Sequence, residues 1–201
     1  MKKVLCIAMC AALAACGETR VVDLDNTRDV ATMQNVMELE YRDWTNAAEK
    51  MTDSMLKSGA FSRVQNPVIA VGNITNDTMQ RFDTDILIKK IRTTLVNSGR
   101  AQIATNFTGE DATSNAVRAT RGNAEYDAST IVGAGTLVAP NLSLTGKMIQ
   151  RNLELKSGWF SSVDTRVEYY LQLTLTDIKT GLSVWEDEQP IVKEGDHAPT
   201  W

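Results

Sequence analysis

From Val167 to Thr176 the chain alternates without a break: Val167, Tyr169, Leu171, Leu173 and Leu175 are separated by Glu168, Tyr170, Gln172, Thr174 and Thr176. Successive side chains of a β-strand point to opposite faces, so this stretch gathers its apolar residues on one side only as a strand; on a helix they would spread around the axis. Such a strand needs partners, and two flank it. Leu142-Ser143-Leu144-Thr145-Gly146-Lys147-Met148 alternates apolar with polar or small residues. Leu182 to Glu186 follows the turn Asp177-Ile178-Lys179-Thr180-Gly181, whose glycine stands where a positive φ is usually needed. Two long antiparallel pairs are predicted, the first turning around Lys156-Ser157-Gly158-Trp159-Phe160-Ser161-Ser162. Beyond Pro190 the composition reads as a frayed tail, and Glu186-Asp187-Glu188 reads as a charged strand end rather than as paired carboxylates for acid and base work.

Upstream the hydrophobic period changes. Met37, Tyr41, Trp44, Ala48, Met51 and Met55 lie four or three apart, one face of an α-helix, and Ser58-Gly59 closes it. Val68-Ile69-Ala70-Val71, ending at Gly72-Asn73, reads as a buried strand. A second helix is predicted over Thr84 to Asn97, with Leu87 or Ile88, Ile91 and Leu95 inward, Asp83 or Thr84 as cap and Asn97-Ser98-Gly99 as terminator. Gln102 to Thr105 reads as a strand of the same sheet. Glu110 to Arg121 reads as a solvated helix with a thin apolar face. Asn123 to Pro140, broken by Gly133-Ala134-Gly135 and Ala139-Pro140-Asn141, reads as an irregular crossover with one helical turn. Runs of helix and strand followed by consecutive strands predict an α+β fold: an antiparallel or mixed sheet with helices packed on one face.

The N-terminus sets where this domain is expected to work. Met1-Lys2-Lys3, the apolar run from Val4 to Leu13 and the small residues Ala14-Ala15 have the order of an export signal. That run is too short for the roughly 20 helical residues a bilayer requires. Leu13-Ala14-Ala15-Cys16-Gly17 resembles a lipobox, in which the cysteine sulfur is acylated and the bond before it is cut. Residues 1–15 are thus expected to be a removed signal, 16–34 a lipidated polar tether, 35–190 a single globular domain and 191–201 a flexible tail. Cys6 and Cys10 leave with the signal, so the mature chain is expected to keep one cysteine and no internal disulfide. Each buried acyl methylene contributes about 0.8 kcal/mol and one chain holds only marginally, so the multiple acylation expected of this class makes the attachment lasting. The lack of Asp beside Cys16 resembles lipoproteins sorted to the outer membrane.

Taking fifteen residues from 201 leaves 186, enough for a sizeable core at 43% hydrophobic content. With Lys2 and Lys3 gone, 19 basic residues face 25 acidic ones, a balance of about −6 that argues against a nucleic-acid partner.

Catalytic patterns are thin. Asp23-Leu24-Asp25-Asn26-Thr27 matches the DxDxT word of haloacid-dehalogenase-type phosphatases, but it lies seven residues beyond Cys16 with only Val21-Val22 as a preceding strand. Gly133-Ala134-Gly135 lacks the third glycine of a dinucleotide loop. His197 is the single histidine, which removes His-dependent nucleophilic triads and any ordinary zinc site. No cofactor or metal is expected. Trp159 and Phe160 are more informative: in a Lys-Ser-Gly/Ser-Ser hairpin tip they are either a plug folded onto the domain or an anchor for a partner.

Val22-Asp23-Leu24-Asp25-Asn26-Thr27, the helix from Met37-Glu38-Leu39-Glu40 to Ser58-Gly59, Asn73-Ile74-Thr75-Asn76, Asp85-Ile86-Leu87-Ile88-Lys89-Lys90-Ile91-Arg92 and Leu142-Ser143-Leu144-Thr145-Gly146-Lys147-Met148-Ile149 together resemble the LpoB family. These are outer-membrane lipoproteins that activate penicillin-binding proteins. The resemblance runs from about Val22 to Glu188. It implies a periplasmic α+β domain, similar to the N-terminal domain of TolB, that docks on a bifunctional penicillin-binding protein and raises its glycosyltransferase and transpeptidase activities. The protein itself would catalyse nothing and would meet the membrane through its lipid alone. The best-known members carry a long proline-rich tether, whereas residues 16 to about 33 span at most about 60 Å here. The alternative is a structural or secretion-associated envelope assembly lipoprotein.

Overall fold

The computed structural model describes residues 38–105, 112–154 and 165–195. The chain divides into two units, Met1–Asn35 and Val36–Trp201, and every described residue belongs to the second.

The first helix, α1 (Tyr41–Lys57), starts four residues later than Met37, which lies outside the described residues. Glu40 is extended (φ −93°, ψ 161°), and its N–H donates to Asp43 Oδ2 at 2.9 Å, which closes the first turn. From Trp44 on the predicted spacing holds, with Trp44, Ala48, Met51 and Met55 buried and joined by Thr45, Ala47 and Thr52. Tyr41, expected on the same face, is 44% exposed because it is the first residue of the helix and lies edge-on to Trp44 at the rim of the core. Gly59, at φ 74°, ends the helix where an L-residue with a Cβ would be strained. A short 3₁₀ helix (Ala60–Arg63) follows and buries Phe61, an element the periodicity did not predict. The second helix, α2 (Thr84–Asn97), has its predicted bounds. Asp83 Oδ1 accepts the Asp85 N–H at 2.9 Å, and Leu87, Ile91 and Leu95 are fully buried. Lys90 Nζ lies 2.6 Å from Glu49 Oε1 and ties α2 to α1.

The strands β1 (Val68–Asp77), β2 (Gln102–Ile103), β3 (Leu142–Glu154), β4 (Thr165–Asp177) and β5 (Ser183–Gly195) form one mixed sheet in the order β2-β1-β3-β4-β5. β1 runs parallel to β2 and β3, while β3-β4 and β4-β5 are antiparallel. This is the α+β class predicted, with the mixed alternative realised.

β3 and β4 extend the predicted alternation, β3 on to Glu154 and β4 from Thr165 to Asp177, and the other three strands depart from it further. β1 does not stop at Gly72-Asn73. The register to β3 shifts between Val71 and Ile74, so the glycine and asparagine form a bulge and pairing resumes to Asp77. β2 is two residues long rather than four. β5 continues five residues past Pro190, so residues 191–195 are strand, not frayed tail, and Glu186-Asp187-Glu188 lies within the strand rather than at its end. A proline is tolerated there because β5 is an edge strand, one side of which needs no donor.

The third helix, α3 (Ala112–Thr120), is solvated as expected, with Asn115, Ala116, Arg118 and Ala119 exposed. The crossover that follows is a run of turns. Arg121 fastens it by donating to Val132 O at 3.0 Å and Gly133 O at 2.8 Å. Asn141 then secures the start of β3: its Oδ1 accepts the Val68 N–H at 2.8 Å, and its Nδ2 donates to Asn66 O at 3.1 Å.

The core lies between α1, α2 and one face of the sheet. Val167, Tyr169, Leu171, Leu173 and Leu175 of β4 are 0–1% exposed. Leu142, Leu144 and Met148 of β3 and Trp185 of β5 share that side with α1's Met51 and Met55. Each fully buried side chain of this kind contributes about 1.5–3 kcal/mol.

Candidate functional site

The covered side of the sheet is committed to the core, so the side chains free to meet another molecule are those of opposite parity. Register places them in rows. Ile149 of β3, Tyr170 of β4 and Pro190 of β5 are direct cross-strand partners. Arg151, Glu168 and Val192 form the next row on one side, and Lys147, Gln172 and Glu188 the next on the other. Side chains in such rows stand close enough to touch. Pro190, Val192, Glu186, Glu188 and Glu194 are exposed, and Ile149, Tyr170 and Gln172 are half-buried.

Hydrogen bonds organise this face. The Tyr170 hydroxyl donates to Glu168 Oε2 at 2.6 Å, which raises the phenol pKa above its ordinary value because ionisation would break the bond and set two negative charges together. Gln172 Nε2 donates to Glu188 Oε2 at 2.6 Å. Lys147 Nζ lies 2.6 Å from Asp77 Oδ2, and Arg166 pairs with Glu194. Glu186 stands opposite Thr174.

Tyr169, one residue from Tyr170, behaves differently because it points into the core. Burial, with the negative charges of Glu38 and Asp43, pushes its phenol well above the ordinary tyrosine value. On the same side Lys193 Nζ meets Asp43 Oδ2 at 2.5 Å and joins β5 to α1. Of the acidic triplet, Glu186 and Glu188 fall on the open face and Asp187 does not, which follows from strand alternation.

A separate cleft of about 540 Å³ opens beside the starts of β1, β2 and β3, lined by Asn66, Arg100, Gln102, Val138 and Asn141 among others. It offers one cation among amides. No group of three or more His, Cys, Asp or Glu able to hold a metal occurs among the described residues.

The sequence-predicted Cys16, Trp159 and Phe160 lie outside the described residues, as do Asp23, Asp25 and His197. Gly133-Ala134-Gly135 is in the exposed crossover. The open face of β3 to β5 was missed as a site. Its signal was present in the polar half of the alternation, but rows across strands require the register.

The architecture defines an α+β domain in which two helices cover one side of a five-stranded mixed sheet. The chain belongs to the LpoB family: the family model described as "Peptidoglycan-synthase activator LpoB" matches residues 43–191, from the first turn of α1 into the last third of β5. Among solved structures, the LpoB C-terminal domain from Salmonella enterica is 16% identical, with 74% of this chain and 98% of that one covered and a TM-score of 0.45. The corresponding domain from Escherichia coli is 16% identical over the same shares, with a TM-score of 0.44. The NMR structure of E. coli LpoB is 17% identical and covers 88% of this chain and 79% of its own, with a TM-score of 0.43. No curated protein sequence matches the chain.

Proposed function

We propose that this chain is a lipoprotein, anchored through Cys16 to the periplasmic face of the outer membrane, that activates a bifunctional penicillin-binding protein by direct contact. The observation that carries the reading is the family match over residues 43–191, which reaches from the first turn of α1 into β5 and so touches every described helix and strand. The family is described as a peptidoglycan-synthase activator, so the chain's role is to regulate an enzyme. The Leu13-Ala14-Ala15-Cys16 sequence supports the anchor, and no helix among the described residues is long and apolar enough to cross a membrane. Trp159 and Phe160, on the segment joining β3 to β4, are proposed partner contacts.

Two measurements test the reading. Labelled palmitate should enter the wild-type protein in cells and not Cys16→Ala. The full-length chain should raise glycan polymerisation by a purified bifunctional penicillin-binding protein; absence of both binding and stimulation would sink the activator role.

A further inference from the structure

We propose that the face of β3, β4 and β5 that no helix covers among the described residues is the surface that docks on the synthase, and that it meets a basic patch there surrounding an apolar contact. The proposal rests on the activator reading and adds to it a face and a partner chemistry.

Both helices that pack on the sheet use its other side, where the core lies. On the open side, Ile149, Tyr170 and Pro190 make an apolar row across three strands, and Val192, 50% exposed, adjoins it. An apolar centre with a charged rim is the usual anatomy of a protein interface.

The rim's charge selects the partner. Lys147 is neutralised by Asp77 and Arg166 by Glu194 within the face. Glu186 and Glu188 have only Thr174 and Gln172 opposite them on β4. They are exposed on an edge strand, so a partner reaches them without passing another strand. The helix side differs: Lys90 with Glu49, Lys57 with Asp53 and Lys193 with Asp43 already pair. Arg151, the remaining cation of the face, stands directly across from Glu168 on β4 and away from the β5 edge. The charges without a cation opposite them are therefore the β5 carboxylates, and on a chain with an acidic balance that edge fits a Lys- and Arg-bearing surface.

The test uses the full-length chain, immobilised in detergent, and membrane extract of the same cells labelled with fluorescent penicillin, so that a captured synthase is identified by its own chemistry. The wild type should capture a labelled penicillin-binding protein, less well as salt rises. Glu186→Lys with Glu188→Lys should cut capture about tenfold or more and abolish the salt dependence. Glu186→Gln with Glu188→Gln should give a smaller loss in the same direction, which keeps the test valid if the lysine pair lowers the melting temperature. Lys89→Glu, on the exposed side of α2, should leave capture unchanged. If the wild type captures a synthase and both Glu186/Glu188 pairs retain capture within about twofold, the docking face is wrong and the activator reading stands. If the wild type captures none, both fall.

Discussion

Leu171 and Gln172 are neighbours in the chain and belong to different molecules in effect: one to the core, the other to the surroundings. Leu171 is fully buried with Tyr169 and Leu173, while Gln172 shares the open face with Tyr170 and Thr174. The difference teaches that in a sheet covered on one side, the residues that hold the fold and those available for recognition interleave at a period of two. They can therefore be separated by mutation, with little cross-talk between stability and binding.

The strongest way to break that comparison is from the covered side. Leu171→Ala removes a fully buried side chain from the central antiparallel strand and should destabilise the domain by about 2–5 kcal/mol in chemical denaturation. A loss below about 1 kcal/mol would mean that the sheet is not backed as described. Gly146→Ala probes the same layer from the other direction. A Cβ at Gly146 would sit 2.5 Å from Leu173 Cδ2 and 2.7 Å from Gln172 O. Leucine can swing away, but the neighbouring backbone carbonyl cannot, so the substitution should cost about 1–3 kcal/mol despite adding a single methyl. Equilibrium unfolding beside the Leu171→Ala protein ranks the two.

What was legible beforehand follows the same division. The buried faces of α1, α2, β3 and β4 were readable because burial imposes a period, and the order of all the main elements came with them. Where no period is imposed, reading failed. Gly72-Asn73 looked like a strand end because a bulge uses the same residues as a turn, and only pairing to β3 tells them apart. Pro190 looked like a terminator because its tolerance depends on β5 being the sheet edge, a property of topology rather than of local sequence. The candidate docking face was half-visible: Glu168, Tyr170 and Gln172 could be placed outward, but not beside Ile149, Pro190 and Glu188. Trp159, Phe160 and Cys16, the residues that the sequence singled out, lie outside the described residues.

Two adjacent tyrosines sharpen the comparison through pH. Tyr169 is held neutral by burial and by Glu38 and Asp43, so its folded-state pKa is raised. The unfolded chain releases that proton near pH 10 and the folded one does not. The stabilisation is thus complete below about pH 10 and is lost as pH rises from there through the folded value. Thermal melts of the wild type should fall more steeply above pH 10 than those of Tyr169→Phe, and equal slopes would remove Tyr169 from the account.

The smallest expected effect on stability is the most informative about function. Gln172→Ala deletes a half-buried side chain from the open face, and its hydrogen bond is to the exposed Glu188 carboxylate. Stability should change by less than about 0.5 kcal/mol, because neither partner is left buried and unsatisfied. Capture of the synthase should still weaken by about two- to threefold, since Gln172 supports Glu188 and borders the Ile149–Tyr170–Pro190 row. The pairing of Leu171→Ala with Gln172→Ala then makes a sharp test. If the two variants lose stability alike, parity does not separate the two roles. If Gln172→Ala leaves both stability and capture untouched while the Glu186/Glu188 reversal abolishes capture, contact is confined to the β5 edge and does not extend across to β4.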